Sequence, residues 1–78
     1  MKMKNEQIIP EHYIQSRKVK LTDIGAKVTY VPRHAKGNTQ HLDCERGTIK
    51  AIGRNGIHVA YGTRNICLTC PSSLHWGW

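Results

Sequence analysis

The residues best equipped for chemistry in this chain are its three cysteines and five histidines. His41-x-x-Cys44 and Cys67-x-x-Cys70 have the internal spacing of zinc knuckles, and together they offer a Cys₃His set. Soft thiolates with one imidazole suit tetrahedral zinc. Strand geometry opposes that reading, because residues three apart on a strand point to opposite faces and cannot share a metal. Neither pair carries a glycine-rich turn, and free cysteine is readily buried as a small apolar residue. The expectation is therefore cysteines used for packing, with no metal and no cofactor. Cysteine catalysis would need a base beside a thiolate, and His34, His41, His58 and His75 are all available for that role. No segment supplies an oxyanion hole or a substrate-sized pocket, so no catalytic residue is assigned and the chain reads as non-enzymatic.

Charge is the second chemical signal. Twelve Lys+Arg against five Asp+Glu give +7, and the pI is near 9.7. Such an excess draws polyanions by long-range attraction, with nucleic acid or an acidic protein surface as the expected partner. The cations that the pattern leaves in loops or on outward strand positions include Arg33, Lys36, Arg46, Lys50, Arg54 and Arg64. The binding residues expected from this reading are Arg33, His34, Lys36, Lys50, Arg54 and Arg64. Tyr30 and Tyr61 fall on inward positions and read as core. Trp76 reads as a plug over the open end of the core, and Trp78 is assigned no role.

Other features narrow the class. No run approaches the roughly 20 apolar residues that span a bilayer, and no apolar segment with a cleavage site follows the charged N-terminus. An odd cysteine count suits a reducing compartment. These features point to a cytoplasmic monomer with no small-molecule substrate and no membrane partner.

Seventy-eight residues make one small domain, and a chain of this size buries only about 60% of its unfolded surface. Residues 1–20 read as an N-terminal arm, flexible or carrying a short helix from Pro10 to Arg17, and residues 21–78 as the folded unit. In Ala26 to Pro32, Val28 and Tyr30 alternate with Lys27 and Thr29, the period of a half-buried strand. A long polar loop follows from Arg33 to Asp43, tipped at Gly37-Asn38. Arg46 to Gly53 reads as a second strand with Ile49 and Ala51 inward, and Asn55-Gly56 as the hairpin turn. Ile57, Val59 and Tyr61 alternate inward on a third strand. Ile66 and Leu68 are expected inward on a fourth. Pro71 to Trp76 reads as one helical turn that sets Leu74 and Trp76 on the core. Short strands and tight turns in so few residues predict an all-β, strongly bent barrel of four to five strands.

The pattern Gly25-x-x-Val28-x-Tyr30, Arg46-Gly47-x-Ile49-x-x-Ile52 and Gly56-x-x-Val59 resembles SH3-like small barrels of the KOW and Tudor kind. Cys70-Pro-Ser-Ser-Leu74 is similar to the short turn before the last strand of those barrels. Val28-Thr-Tyr-Val-Pro-Arg-His-Ala35 and Asp43-Cys-Glu-Arg-Gly47 are similar to short bacteriophage and prophage proteins, which bring no assigned chemistry. The barrel resemblance implies a binding module acting on nucleic acid or on a nucleic-acid-bound host machine. The alternatives are a protein-interaction or inhibitor module for an acidic host surface and a zinc-stabilised mini-domain held by the His41, Cys44, Cys67 and Cys70 set. KOW units join the corresponding strands by a short linker, so the long Arg33 to Asp43 loop is the expected specificity element.

Overall fold

A computed structural model of the chain describes residues 11–62 and 65–78. Its regular elements are short strands and single 3₁₀ turns. Strands β1 (Tyr13–Ile14) and β2 (Arg17–Lys18) form a hairpin. Strands β3 (Lys27–Tyr30), β4 (Glu45–Gly53), β5 (Gly56–Tyr61), β6 (Ile66–Thr69) and β7 (Leu74–Trp76) form an antiparallel sheet in the order β6-β5-β4-β3-β7. The fold is all-β. The chain meanders through four adjacent strands, then a 3₁₀ turn at Pro71–Ser73 returns β7 to the free side of β3. No ladder joins β6 to β7, so the sheet is not a closed barrel among the described residues. Nor is any described helix long and apolar enough to cross a membrane.

The core is built from Ile14, Val19, Val28, Ile49, Ile57, Val59, Tyr61 and Leu74, with Ala26, Tyr30, Ile52 and Trp76 packed against it. On β5 the expected alternation holds: Ile57, Val59 and Tyr61 are buried and His58 and Ala60 are partly exposed. Leu74 and Trp76 reach the core as the sequence suggests, but from a strand that pairs with β3.

Further sequence expectations need correcting, each for a local reason. The first concerns β4. Its pairing runs from Ile49↔Val59 directly to Ala51↔His58, so Lys50 is an extra residue in a β-bulge. A bulge shifts the two-residue alternation by one. Ala51 is consequently exposed, and Ile52 packs on the core in its place.

The second concerns β6, where Val59 pairs with Cys67 and Ile57 with Thr69. Directly opposed residues share a face, so Ile66 and Leu68 point outward and are 54% and 52% exposed. The buried Thr69 hydroxyl is satisfied by the Tyr61 hydroxyl at 2.7 Å.

Third, the β4–β5 turn consists of Arg54 and Asn55, because Gly53 pairs with Gly56. Gly56 serves a different purpose: a Cβ there would sit 2.8 Å from the Thr69 carbonyl oxygen.

Finally, residues 11–20 are neither a helix nor a free arm. Ile14 and Val19 have no solvent exposure. Gln15 and Ser16 take left-handed φ values of 51° and 70°, the geometry of a two-residue hairpin loop without its usual glycine or asparagine. Gln15 gains compensation by accepting from the Trp76 amide through Oε1 at 2.8 Å. The helix boundary at Pro10 lies outside the described residues.

Candidate nucleic-acid interface

Period-two geometry decides which β4 side chains leave the sheet together. Gly47 and Ile49 are buried, so Arg46, Thr48 and Lys50 project from the opposite face. That face forms a groove of about 340 Å³ lined by Arg46, Thr48, Lys50, Ala60 and Trp78, among others.

Trp78 arrives there because Gly77 turns the chain out of β7. Gly77 has φ 84°, a conformation that side chains other than glycine rarely adopt. Its carbonyl oxygen accepts from the Thr29 hydroxyl at 2.7 Å, and its amide donates to Lys27 O at 2.6 Å. The buried Thr29, expected to face outward, is thereby satisfied. The Trp78 indole N–H donates to Gly47 O at 2.7 Å, and Lys27 Nζ stands 4.7 Å from the ring centroid. The ring is therefore held in place while 56% exposed.

Two further grooves continue from this one. One, about 180 Å³, is lined by Arg46 and Trp78 together with Thr39 and Gln40. The next, about 290 Å³, is lined by Thr39, Gln40, His41, Leu42, Cys44 and Arg46. Arg46 borders all three, so one guanidinium joins the β4 face to the loop between β3 and β4.

That loop is ordered by short-range bonds. Arg33–Ala35 form a 3₁₀ turn whose end is set by Lys36 and Gly37, both with positive φ. Backbone bonds then run Asn38 N→Ala35 O, His41 N→Asn38 O and Cys44 N→His41 O at 3.0–3.1 Å. His34 Nε2 donates to Asp43 Oδ2 at 2.7 Å, and the Asp43 amide donates to His41 Nδ1 at 3.0 Å.

The expected binding residues thus divide. Arg33, His34 and Lys36 share one exposed turn, and Lys50 lies on the β4 face. Arg54 is exposed in the β4–β5 turn. Arg64 lies outside the described residues. Sequence reading missed Trp78 and Lys27 and left Arg46 out of the expected set. The available signal was the glycine between two tryptophans, which lets the second leave the strand line.

The alternative Cys₃His grouping is not assembled: among the described residues, no three of His41, Cys44, Cys67 and Cys70 converge as metal ligands. Packing does not account for Cys67 and Cys70 either, because both are exposed. The Cys70 thiol is pulled below the usual thiol range by the Ser72 hydroxyl 3.1 Å away, with smaller help from the Ser72 backbone and Arg33. Comparison with protein-family models, with curated proteins and with solved structures returns no match to this chain.

Proposed function

We propose that this chain is an SH3-like β module, of the kind bacteriophages and prophages encode, that binds single-stranded nucleic acid or a host machine carrying it. The observation that carries the reading is the half-exposed Trp78 ring, pinned through its N–H and bordered by Lys27, Arg46 and Lys50. Aromatic faces stack bases of any sequence while neighbouring cations meet phosphates. Loop residues Arg33 and Lys36 extend the basic surface, with the exposed His34 between them in the same turn. The barrel reading is supported by β7 returning beside β3, the first strand of the five-stranded sheet, after a single 3₁₀ turn.

Fluorescence anisotropy with short labelled DNA and RNA strands tests this. Each phosphate contact on a single strand contributes about −0.7 to the slope of log K against log salt. Contacts from Lys27, Arg46 and Lys50 therefore predict a slope of about −2. Binding without salt dependence, or no binding at low salt, overturns the proposal.

The outward Ile66 and Leu68 on edge strand β6 favour a second reading. Leu68 also borders a groove of about 410 Å³ lined in part by Tyr30, Tyr61 and Cys70. An edge strand with apolar side chains suits an extended peptide from a partner protein. Pull-down of one host protein, together with no affinity for nucleic acid, would select this alternative.

A further inference from the structure

The loop between β3 and β4 brings together a set of metal donors that differs from the cysteine pairs. Among the described residues, His34, His41 and Asp43 form the converging group, with one ligand atom from each lying within 4.8 Å of the others. We propose that they bind one divalent transition-metal ion, with Zn²⁺ as the best fit. Two imidazoles and one carboxylate match the donor preference of zinc, which in such three-ligand sites takes water in the fourth position. The proposal does not rest on the nucleic-acid reading, although His34 belongs to both.

The ligand atoms, within 4.8 Å of one another, must settle at tetrahedral spacing by side-chain rotation. A tetrahedral ion with bonds of roughly 2.0–2.2 Å holds its ligand atoms about 3.3–3.6 Å apart. His34 Nε2 and Asp43 Oδ2, now 2.7 Å apart, would separate by roughly 0.6–0.9 Å, and Nε2 would give up the proton it shares with the carboxylate. Their side chains are 61% and 60% exposed, so rotation meets little resistance. The His34 and His41 rings already meet edge to face at 5.2 Å between centroids. His41 must surrender the Asp43 amide, because a neutral ligating imidazole carries its proton on the other nitrogen. That exposed amide then turns to water. Backbone bonds from Ala35 to Cys44 hold the scaffold on which these movements occur.

The ligands come from both ends of the loop: His34 follows β3, while His41 and Asp43 precede β4. An ion would therefore staple a long polar connection at its base. It would also stiffen the wall of the groove shared by His41, Leu42, Cys44 and Arg46.

The experiment uses the full chain, stripped of metal, with Cys44→Ser, Cys67→Ser and Cys70→Ser replacements to remove thiol binding. Calorimetric titration with Zn²⁺ should give one ion per chain and a rise in Tm as ligand binds the folded state. Co²⁺ should add visible absorption bands from nitrogen and oxygen ligation. His34→Ala or His41→Ala should each weaken binding by ~10-fold or more. Asp43→Asn should weaken it as well. The same replacements in the cysteine-containing chain guard against a folding defect in the triple variant, and unchanged metal-free urea midpoints guard against one in the others. Absence of saturable one-to-one binding, or binding that survives both histidine replacements, overturns the proposal.

Discussion

Trp76 is clamped between the N-terminal hairpin and the sheet. Its indole N–H donates to Ile14 O at 2.8 Å, and the Arg17 guanidinium lies 3.9 Å from its ring centroid. Two residues later, Trp78 has the same two kinds of contact, an N–H bond to Gly47 O and a cation over its ring, yet remains more than half exposed. What separates them is cover. The β1–β2 hairpin lies over Trp76, and His12 fixes that hairpin to the far end of β4 by donating to Gly53 O at 2.8 Å. A fixed aromatic with cover adds to the core; a fixed aromatic without it offers a surface to a ligand.

The largest effect expected concerns the cover itself. Ile14→Ala empties a fully buried site and should cost about 2–5 kcal/mol by urea denaturation. An unchanged midpoint would return residues 11–20 to the status of an arm.

The tryptophans should then separate in a paired experiment. Trp78→Ala should weaken single-strand binding by about 1–3 kcal/mol, with little change in stability. Trp76→Ala should show mainly the stability loss. Equal losses of stability in both variants would erase the distinction.

Tyr61, beneath the β6 edge, provides a probe of core integrity that neither tryptophan controls. Burial, foremost, pushes its phenol above the ordinary range, while the Thr69 hydrogen bond pulls the other way. An unfolded tyrosine loses its proton near pH 10. As the pH rises through that point the unfolded chain holds fewer protons than the folded one, so stability falls. Tyr61→Phe should flatten this alkaline limb of the urea midpoint and cost about 1 kcal/mol at neutral pH.

Smaller changes should follow from the groove cations. Lys50→Ala and Arg46→Ala should each reduce the steepness of the single-strand salt dependence by about 0.7. Smallest of all, Ser72→Ala should slow alkylation of Cys70 at neutral pH by lowering its thiolate fraction.

How much could be read beforehand varied with the length of each pattern. β5 was legible because three inward residues alternate without interruption over Ile57 to Tyr61. The hairpin at residues 13–18 was not, since strands of two residues carry no measurable period and the loop residues Gln15 and Ser16 give no turn signature. On β4 the pattern was misread past Ile49, because a bulge is a property of pairing and leaves no mark in one strand alone. β6 was misread for the same reason: its inward face follows from the register with β5. At the candidate interface, the loop cations and Lys50 were legible as polar groups on exposed positions. Trp78 was not, because its setting depends on β4 and on a glycine that bends the chain.

Composition and local alternation by themselves determined the all-β class, the positive excess, the positions of the longer strands and the polar loop between β3 and β4. These are one-dimensional properties, carried by residue type and by a period of two. Only the tertiary structure decided which tryptophan is covered, which face of β6 looks inward, and that His34, His41 and Asp43 meet. Each of those depends on which strand lies alongside which, and such neighbours are distant along the chain.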